Sequence, residues 1–139
     1  MTIEQALYTK LTTDAGVLAI VAARVYPHFV PQKNTPGETQ LPTVVYQNIS
    51  DPNDYSHDGE TALHHPRFQI TSFASTYLAA KALALAVKTA LSASTGAWGT
   101  ITIDGVFCDS ASDVLDLDPE VESQTLFGIR QDFVIWYEG

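Results

Sequence analysis

The sequence predicts an α+β domain: an antiparallel or mixed β-sheet, one long helix packed on a face, and a short pair of helices at the N-terminus. Apolar residues recur at helical spacing near the start and again through "TYLAAKALALAVKTALSAS". Between and beyond these stretches, β-branched and aromatic runs such as "TVVYQNI" and "RFQITSF" read as strands. The order is two helices, a few strands, one long helix, then strands again, for which an antiparallel or mixed sheet with the long helix packed on one face is the economical arrangement. With 139 residues, no internal repeat and no linker-like boundary, the chain forms one domain.

Each element has a local cause. Thr2 stands where an N-cap is needed and Gln5 three residues later, the spacing of a capping box. Ile3, Leu7 and Leu11 then share a face, with Ala6 beside them. Asp14 opens a second, shorter helical turn carrying Val17, Ile20 and Val21, and "RVYP" continues as a short extended segment. Val30 to Pro42, "VPQKNTPGETQLP", has prolines, a glycine and no periodicity, and reads as a long loop.

Two strands follow, Thr43 to Ile49 and Arg67 to Phe73, and Asp51 to His65 joins them as the elongated tip of a hairpin or a long strand connection. Ser75 is the expected cap of the next helix, whose stripe is Ala80, Leu83, Ala84, Val87, Ala90 and Leu91. Lys81, Lys88 and Ser92 mark its opposite face. Leu85 falls among them, either a stray exposed leucine or a contact with another subunit.

In "TITIDGVFC" the Asp104-Gly105 pair is a hairpin signal between two strands. Asp109 to Glu122 holds acids and no base, and "LFGIRQDFVIWYEG" closes the chain as a strand. Ile129, Gln131, Phe133, Ile135 and Tyr137 lie on one of its faces; Arg130, Asp132, Val134 and Trp136 lie on the other. Apolar bulk on both suggests a central strand or one covered on both sides.

Composition excludes several classes. Seven Lys and Arg against sixteen Asp and Glu give a net charge of −9, a field that repels phosphate backbones and disfavours sequence-specific DNA binding. Cys108 is the only cysteine, so an internal disulfide and a multi-cysteine zinc site are ruled out. It reads as a small, partly buried strand residue. No apolar stretch is long enough to span a membrane, since the one around Ala79 to Val87 is broken by Lys81. The N-terminal "MTIEQALYTK" lacks the pattern of a signal peptide, and a cytoplasmic origin is the expectation.

The stretch "DPNDYSHDGETALHH" invites a metal or acid/base reading. Asp54, Ser56 and Asp58 alternate before Gly59 as in a calcium loop, but His65 stands where a bidentate glutamate should close the shell, and the flanks read as strands. His57, His64 and His65 are conceivable zinc ligands with Asp54 or Asp58, yet adjacent histidines point to opposite sides of an extended backbone. Ser56, His57 and Asp58 are consecutive, unlike the members of a catalytic triad. Asp116 and Asp118 resemble a nuclease carboxylate pair, although an acidic run is more often a solvated face or a surface lining a channel. There is no nucleotide-binding or zinc-protease motif. No catalytic, cofactor or metal residue is assigned.

Taken in order, "EQALYTKLTTDAGVLAIVAARVYPHFVPQ", "LPTVVYQNIS", "RFQITSFASTYLAAKALALAVKTAL", "DVLDLDPEVE" and "IRQDFVIWYEG" resemble the tail-completion or tail-terminator proteins of long-tailed bacteriophages. The resemblance spans nearly the whole chain. It implies a small, non-enzymatic α+β virion protein, assembled in the host cytoplasm. It also implies a homo-oligomeric ring, commonly a hexamer, on the head-proximal end of the tail tube. There the ring ends tube growth and meets the head-side connector or adaptor. A head-side adaptor or minor tail protein is the alternative, and a metal-dependent enzyme a third.

A ring needs two different complementary patches on each copy. The long loops and exposed edges are the expected contacts: Gln32, Lys33, Asp54, His57, Asp58, His64 and, on the helix, Leu85. The acids Asp113, Asp116, Asp118 and Glu120 are expected to face a lumen through which DNA passes without specific binding.

Overall fold

The computed structural model describes residues 2–21, 25–27, 42–51, 53–56, 59–74, 76–92, 95–117 and 125–138. The first helix, α1 (Ile3–Thr13), starts on the expected capping box. The Thr2 hydroxyl accepts from the Gln5 N–H at 3.2 Å, and the Gln5 side chain accepts from the Thr2 N–H at 2.9 Å. Ile3, Ala6, Leu7 and Leu11 are buried along one face, as the spacing requires. Asp14 ends α1 and opens α2 (Ala15–Val21), its carboxylate accepting from the N–H groups of Gly16 at 3.0 Å and Val17 at 3.2 Å. One residue thereby caps the turn between two helices too short to hold together without packing.

The strands are β1 (Val25–Pro27), β2 (Thr43–Ser50), β3 (Asn53–Ser56), β4 (Gly59–His64), β5 (Arg67–Ala74), β6 (Gly96–Trp98), β7 (Ile101–Leu117) and β8 (Thr125–Glu138), with α3 (Tyr77–Leu91) between β5 and β6. They form one eight-stranded mixed sheet. β1 runs parallel to β2, and every other pairing is antiparallel. β8 is the axis: Phe127 to Val134 pair with β5, Tyr137 and Glu138 pair with β4 on that same edge, and β7 lines its other edge.

Registers place residues in rows. Phe68, Phe133 and Cys108 form one row, then Ile70, Gln131 and Ala111, then Ser72, Ile129 and Asp113. These rows face the helices, and Phe68, Ile70 and Phe133 are fully buried there together with Leu7, Leu11, Leu83 and Leu91. The alternate rows, Arg67–Val134–Phe107, Gln69–Asp132–Ser110 and Thr71–Arg130–Ser112, look away from them.

α3 buries the predicted stripe, Ala80, Leu83, Ala84, Val87, Ala90 and Leu91, against β5 and β8. The small residues Ala80 and Ala84 meet Ala74 and Ile129, bringing the helix backbone close to the strands. Close approach has a polar consequence: the Gln131 amide donates to the Ala84 carbonyl at 3.2 Å, while its own oxygen and the Ser72 hydroxyl are buried without a hydrogen-bond partner.

Two expectations are corrected. Thr76, not Ser75, caps α3, its hydroxyl accepting from the Ala79 N–H at 3.2 Å. Asp104-Gly105 is no turn: β7 runs through it with a register shift between Ile103 and Gly105. The reversal lies at Gly99-Thr100, where Trp98 pairs with Ile101 and Gly99 has φ +67°, the left-handed conformation a two-residue hairpin demands. The acidic run continues β7 as far as Leu117, because β8 supplies backbone partners as far as Thr125. β8 is central, as one of its two expected readings has it; among the described residues helices cover one of its faces, and burial alternates from Ile129 to Trp136. The Val30 to Pro42 loop lies outside the described residues except for Pro42.

Candidate functional site

The polar stretch joining β2 to β5 contains its own ribbon. β3 and β4 pair antiparallel, with a register shift between Asn53 and Tyr55, and β4 docks on the end of β8 through Leu63–Glu138 and His64–Tyr137. An elongated hairpin tip is what the sequence suggested, and the flanks are strands, which removes the helical frame of a calcium loop.

The two adjacent histidines diverge as an extended backbone requires. His64 stacks on Tyr137 at 5.1 Å and His65 on Trp136 at 4.6 Å, and these two aromatics project to opposite faces of β8. The pair therefore grips the last turn-free segment of the chain from both sides. Imidazoles held on opposite faces cannot share a metal ion. Among the described residues, no group of three or more His, Cys, Asp or Glu is arranged to hold one. Asp54 lies in β3 by its backbone. His57, Asp58, Gln32 and Lys33 lie outside the described residues, as do Asp118 and Glu120.

Of the acids on β7, Asp113 belongs to the helix side. Its carboxylate accepts from the Tyr77 hydroxyl at 3.0 Å and stands 3.5 Å from the Lys81 ammonium. The Tyr77 and Asp113 partners push the Lys81 pKa upward. Lys81 also lies 5.4 Å from the Tyr77 ring centroid, and Tyr77 meets Phe127 edge-on. Asp116 pairs by backbone with Leu126. Cys108 is half-buried in β7, with its thiol 3.8 Å from the Ser110 carbonyl, as expected of a strand residue.

Leu85 is 64% exposed, and Leu78, one heptad earlier on the same face of α3, is 80% exposed. Ala82 and Thr89 complete this outward stripe, and Lys88 stands exposed beside it. Sequence reasoning singled out Leu85 and missed Leu78, although their separation of seven residues is the signal that joins them.

Also missed was the arrangement around Arg67 on the helix-free face. Its guanidinium lies 2.7 Å from Asp109 and 3.8 Å from Asp132, and Asp132 accepts from the Ser110 hydroxyl at 3.1 Å. In the same row, beyond Val134, stands Phe107, 61% exposed. Period two along "VFC" identifies Phe107 as the residue facing away from Val106 and Cys108, but only the register to β8 brings Arg67 alongside. The site thus consists of two outward surfaces and an ion-pair cluster, with no nucleophile–base pair among the residues named.

Burial also acts on two helix-side tyrosines. Desolvation, then the neighbouring Tyr8 and Glu4, raises the pKa of Tyr46; desolvation, then Asp51 and Glu4, raises that of Tyr137. Glu4 additionally accepts from the Asn48 amide at 3.2 Å, tying the first turn of α1 to β2. No described helix is long and apolar enough to cross a membrane.

Comparison with known proteins gives these features a context. No curated protein matches the sequence. Among solved structures, a chain of the "Virion of native gene transfer agent (GTA) particle" superposes with a TM-score of 0.68 at 25% identity, over 97% of this chain and 94% of that one. The family model described as "Tail completion protein gp17" matches residues 5–138. The match runs from the first turn of α1 to the last residue of β8, and the chain belongs to the tail completion protein gp17 family, whose members are structural proteins of the phage virion tail.

Proposed function

We propose that this protein forms a ring that caps the head-proximal end of the tail tube, ends tube polymerisation and provides the joint to the head-side connector. The family match across residues 5–138 carries this reading, and the likeness to a chain of a phage-like virion supports it. The ring is a homo-oligomer, a hexamer to match a six-fold tube, with the tube protein on one side and the connector or adaptor on the other. The role is non-catalytic and uses no metal or cofactor.

Gln32, Lys33, Asp54, His57, Asp58, His64 and Leu85 are proposed contact residues. His64 is the best constrained of them, since stacking on Tyr137 fixes the base of the ribbon that would reach a neighbour. Asp116, Asp118 and Glu120 are proposed to line the lumen, where like charge keeps DNA mobile. Asp113 joins them only in part, because Lys81 offsets its charge.

Particles assembled without the protein test the role. Overlong tails free of heads are expected. Filled heads beside tails of normal length would overturn termination and favour a head-side adaptor. For the metal-free reading, millimolar calcium or zinc is expected to leave the melting temperature unchanged; a rise would reveal a native-state ligand.

A further inference from the structure

Two surfaces of the molecule differ in character and face away from each other. The first is the outward stripe of α3, with Leu78 and Leu85 80% and 64% exposed and Ala82 between them. This helix carries Lys81 and Lys88 and no acid, in a chain of net charge −9. Lys81 is engaged by Asp113, whereas Lys88 stands exposed in the last turn. The second is the helix-free side of the sheet around Phe107, in a row with Val134 and Arg67. There Asp109 and Asp132 flank the Arg67 guanidinium and Asp104 is exposed on the same strand, three carboxylates against the two cations of that face, Arg67 and the exposed Arg130.

We infer that the α3 stripe of one copy docks on the Phe107 surface of the next. The occupant is a second copy because both halves of a complementary pair are present in one chain: apolar with a spare cation on one side, apolar with excess carboxylate on the other. They cannot meet within a molecule, since the sheet separates them. Two unlike patches on opposite sides generate a head-to-tail contact, which closes into a ring when the rotation per copy permits. Burying both leucines and Phe107 removes apolar surface from water, and the charges set the pairing and its direction. The inference rests on the proposed ring and assigns its interface.

Unlike patches allow a mixing test. Leu85→Glu places a carboxylate against the acidic surface and disables one patch; Phe107→Lys places a cation against the Lys88 side of the stripe and disables the other. Both side chains are largely exposed, so each variant is expected to keep the wild-type circular dichroism and melting temperature. Assembly is read by chemical cross-linking and sedimentation in the presence of purified tail tubes.

Each variant alone is expected to lose ring formation, with self-association weakened by more than about tenfold through a buried charge set against like charge. A one-to-one mixture is expected to give pairs, because each variant retains the patch the other lacks. Rings formed by either variant alone, or a mixture without pairs, would overturn the interface. Wild-type protein that forms no ring on tubes would overturn the ring reading itself.

Discussion

One sheet has two faces built from the same strands, and they do different things. On the helix side, Phe68, Phe133 and Ile70 are fully buried beneath α3 and its neighbours. One residue along each strand, Arg67, Val134 and Phe107 form a row with a half-exposed ion pair and an open aromatic ring. Stability is concentrated on the first face, which leaves the second available for contact chemistry. The difference arises from period two alone: a strand that buries every odd residue presents every even one. The helix-free face is graded, with Val45 and Thr71 buried at its β2–β5 end while Phe107 is open on β7.

The sharpest way to break this contrast is to delete one ring from each face. Phe133→Ala removes a fully buried side chain from the central strand and is expected to cost about 3–5 kcal/mol, measured by urea unfolding. Phe107→Ala, on the exposed side, is expected to stay within about 0.5 kcal/mol of wild type. Comparable losses from the two would mean that the helix-free face is part of the fold's core.

How much of this was legible in the sequence follows the same division. The helix side announced itself: Thr2 with Gln5, the stripe of α3, and the alternation of Phe68 and Ile70 are local patterns, each confined to a few neighbouring residues. The open face did not. Arg67 and Asp109 are far apart in the chain and meet only through the shared register of β5 and β7 with β8, which no local pattern encodes. Asp104-Gly105 misled for a related reason: its turn propensity is real, but a strand already held by β8 on its edge tolerates the pair as a bulge, and Gly99 supplies the turn instead. His64 and His65 were read correctly as divergent, although the aromatics they stack on lie at the far end of the chain.

A smaller effect is expected at the cap of the helix that covers the first face. Thr76→Ala leaves the Ala79 N–H without its acceptor and is expected to cost about 1 kcal/mol in thermal or urea unfolding. Ser75→Ala, at the position first expected to cap, is expected to change little. The reverse ranking would restore Ser75 as the cap.

Smaller still is the ion pair on the open face. Arg67 is about one-third exposed and Asp109 about half, so water and salt screen the attraction. Arg67→Ala is expected to destabilise by about 0.2–1 kcal/mol at low salt. Raising the ionic strength to 1 M should shrink the difference, while the cost of Phe133→Ala stays as it was. A loss that ignores salt would mean that the Arg67 stem contributes through packing.

At neutral pH the smallest expected effect belongs to Tyr46→Phe, which removes a hydroxyl that is neutral there in both folded and unfolded chains. The contrast appears only on the alkaline side. Burial, with Tyr8 and Glu4 nearby, holds the folded-state pKa of Tyr46 above its ordinary value of 10.0, and burial with Asp51 and Glu4 does the same for Tyr137. A raised pKa means that the folded state keeps its proton where the unfolded chain has begun to release it. The stabilisation carried by the neutral phenol is therefore complete below pH 10 and drains away as pH rises through the folded-state pKa. Unfolding free energies measured across that window should fall with pH, and the fall should be shallower in Tyr46→Phe and shallower again with Tyr137→Phe added. Identical slopes in wild type and both variants would show that the helix-side tyrosines ionise as freely in the fold as out of it.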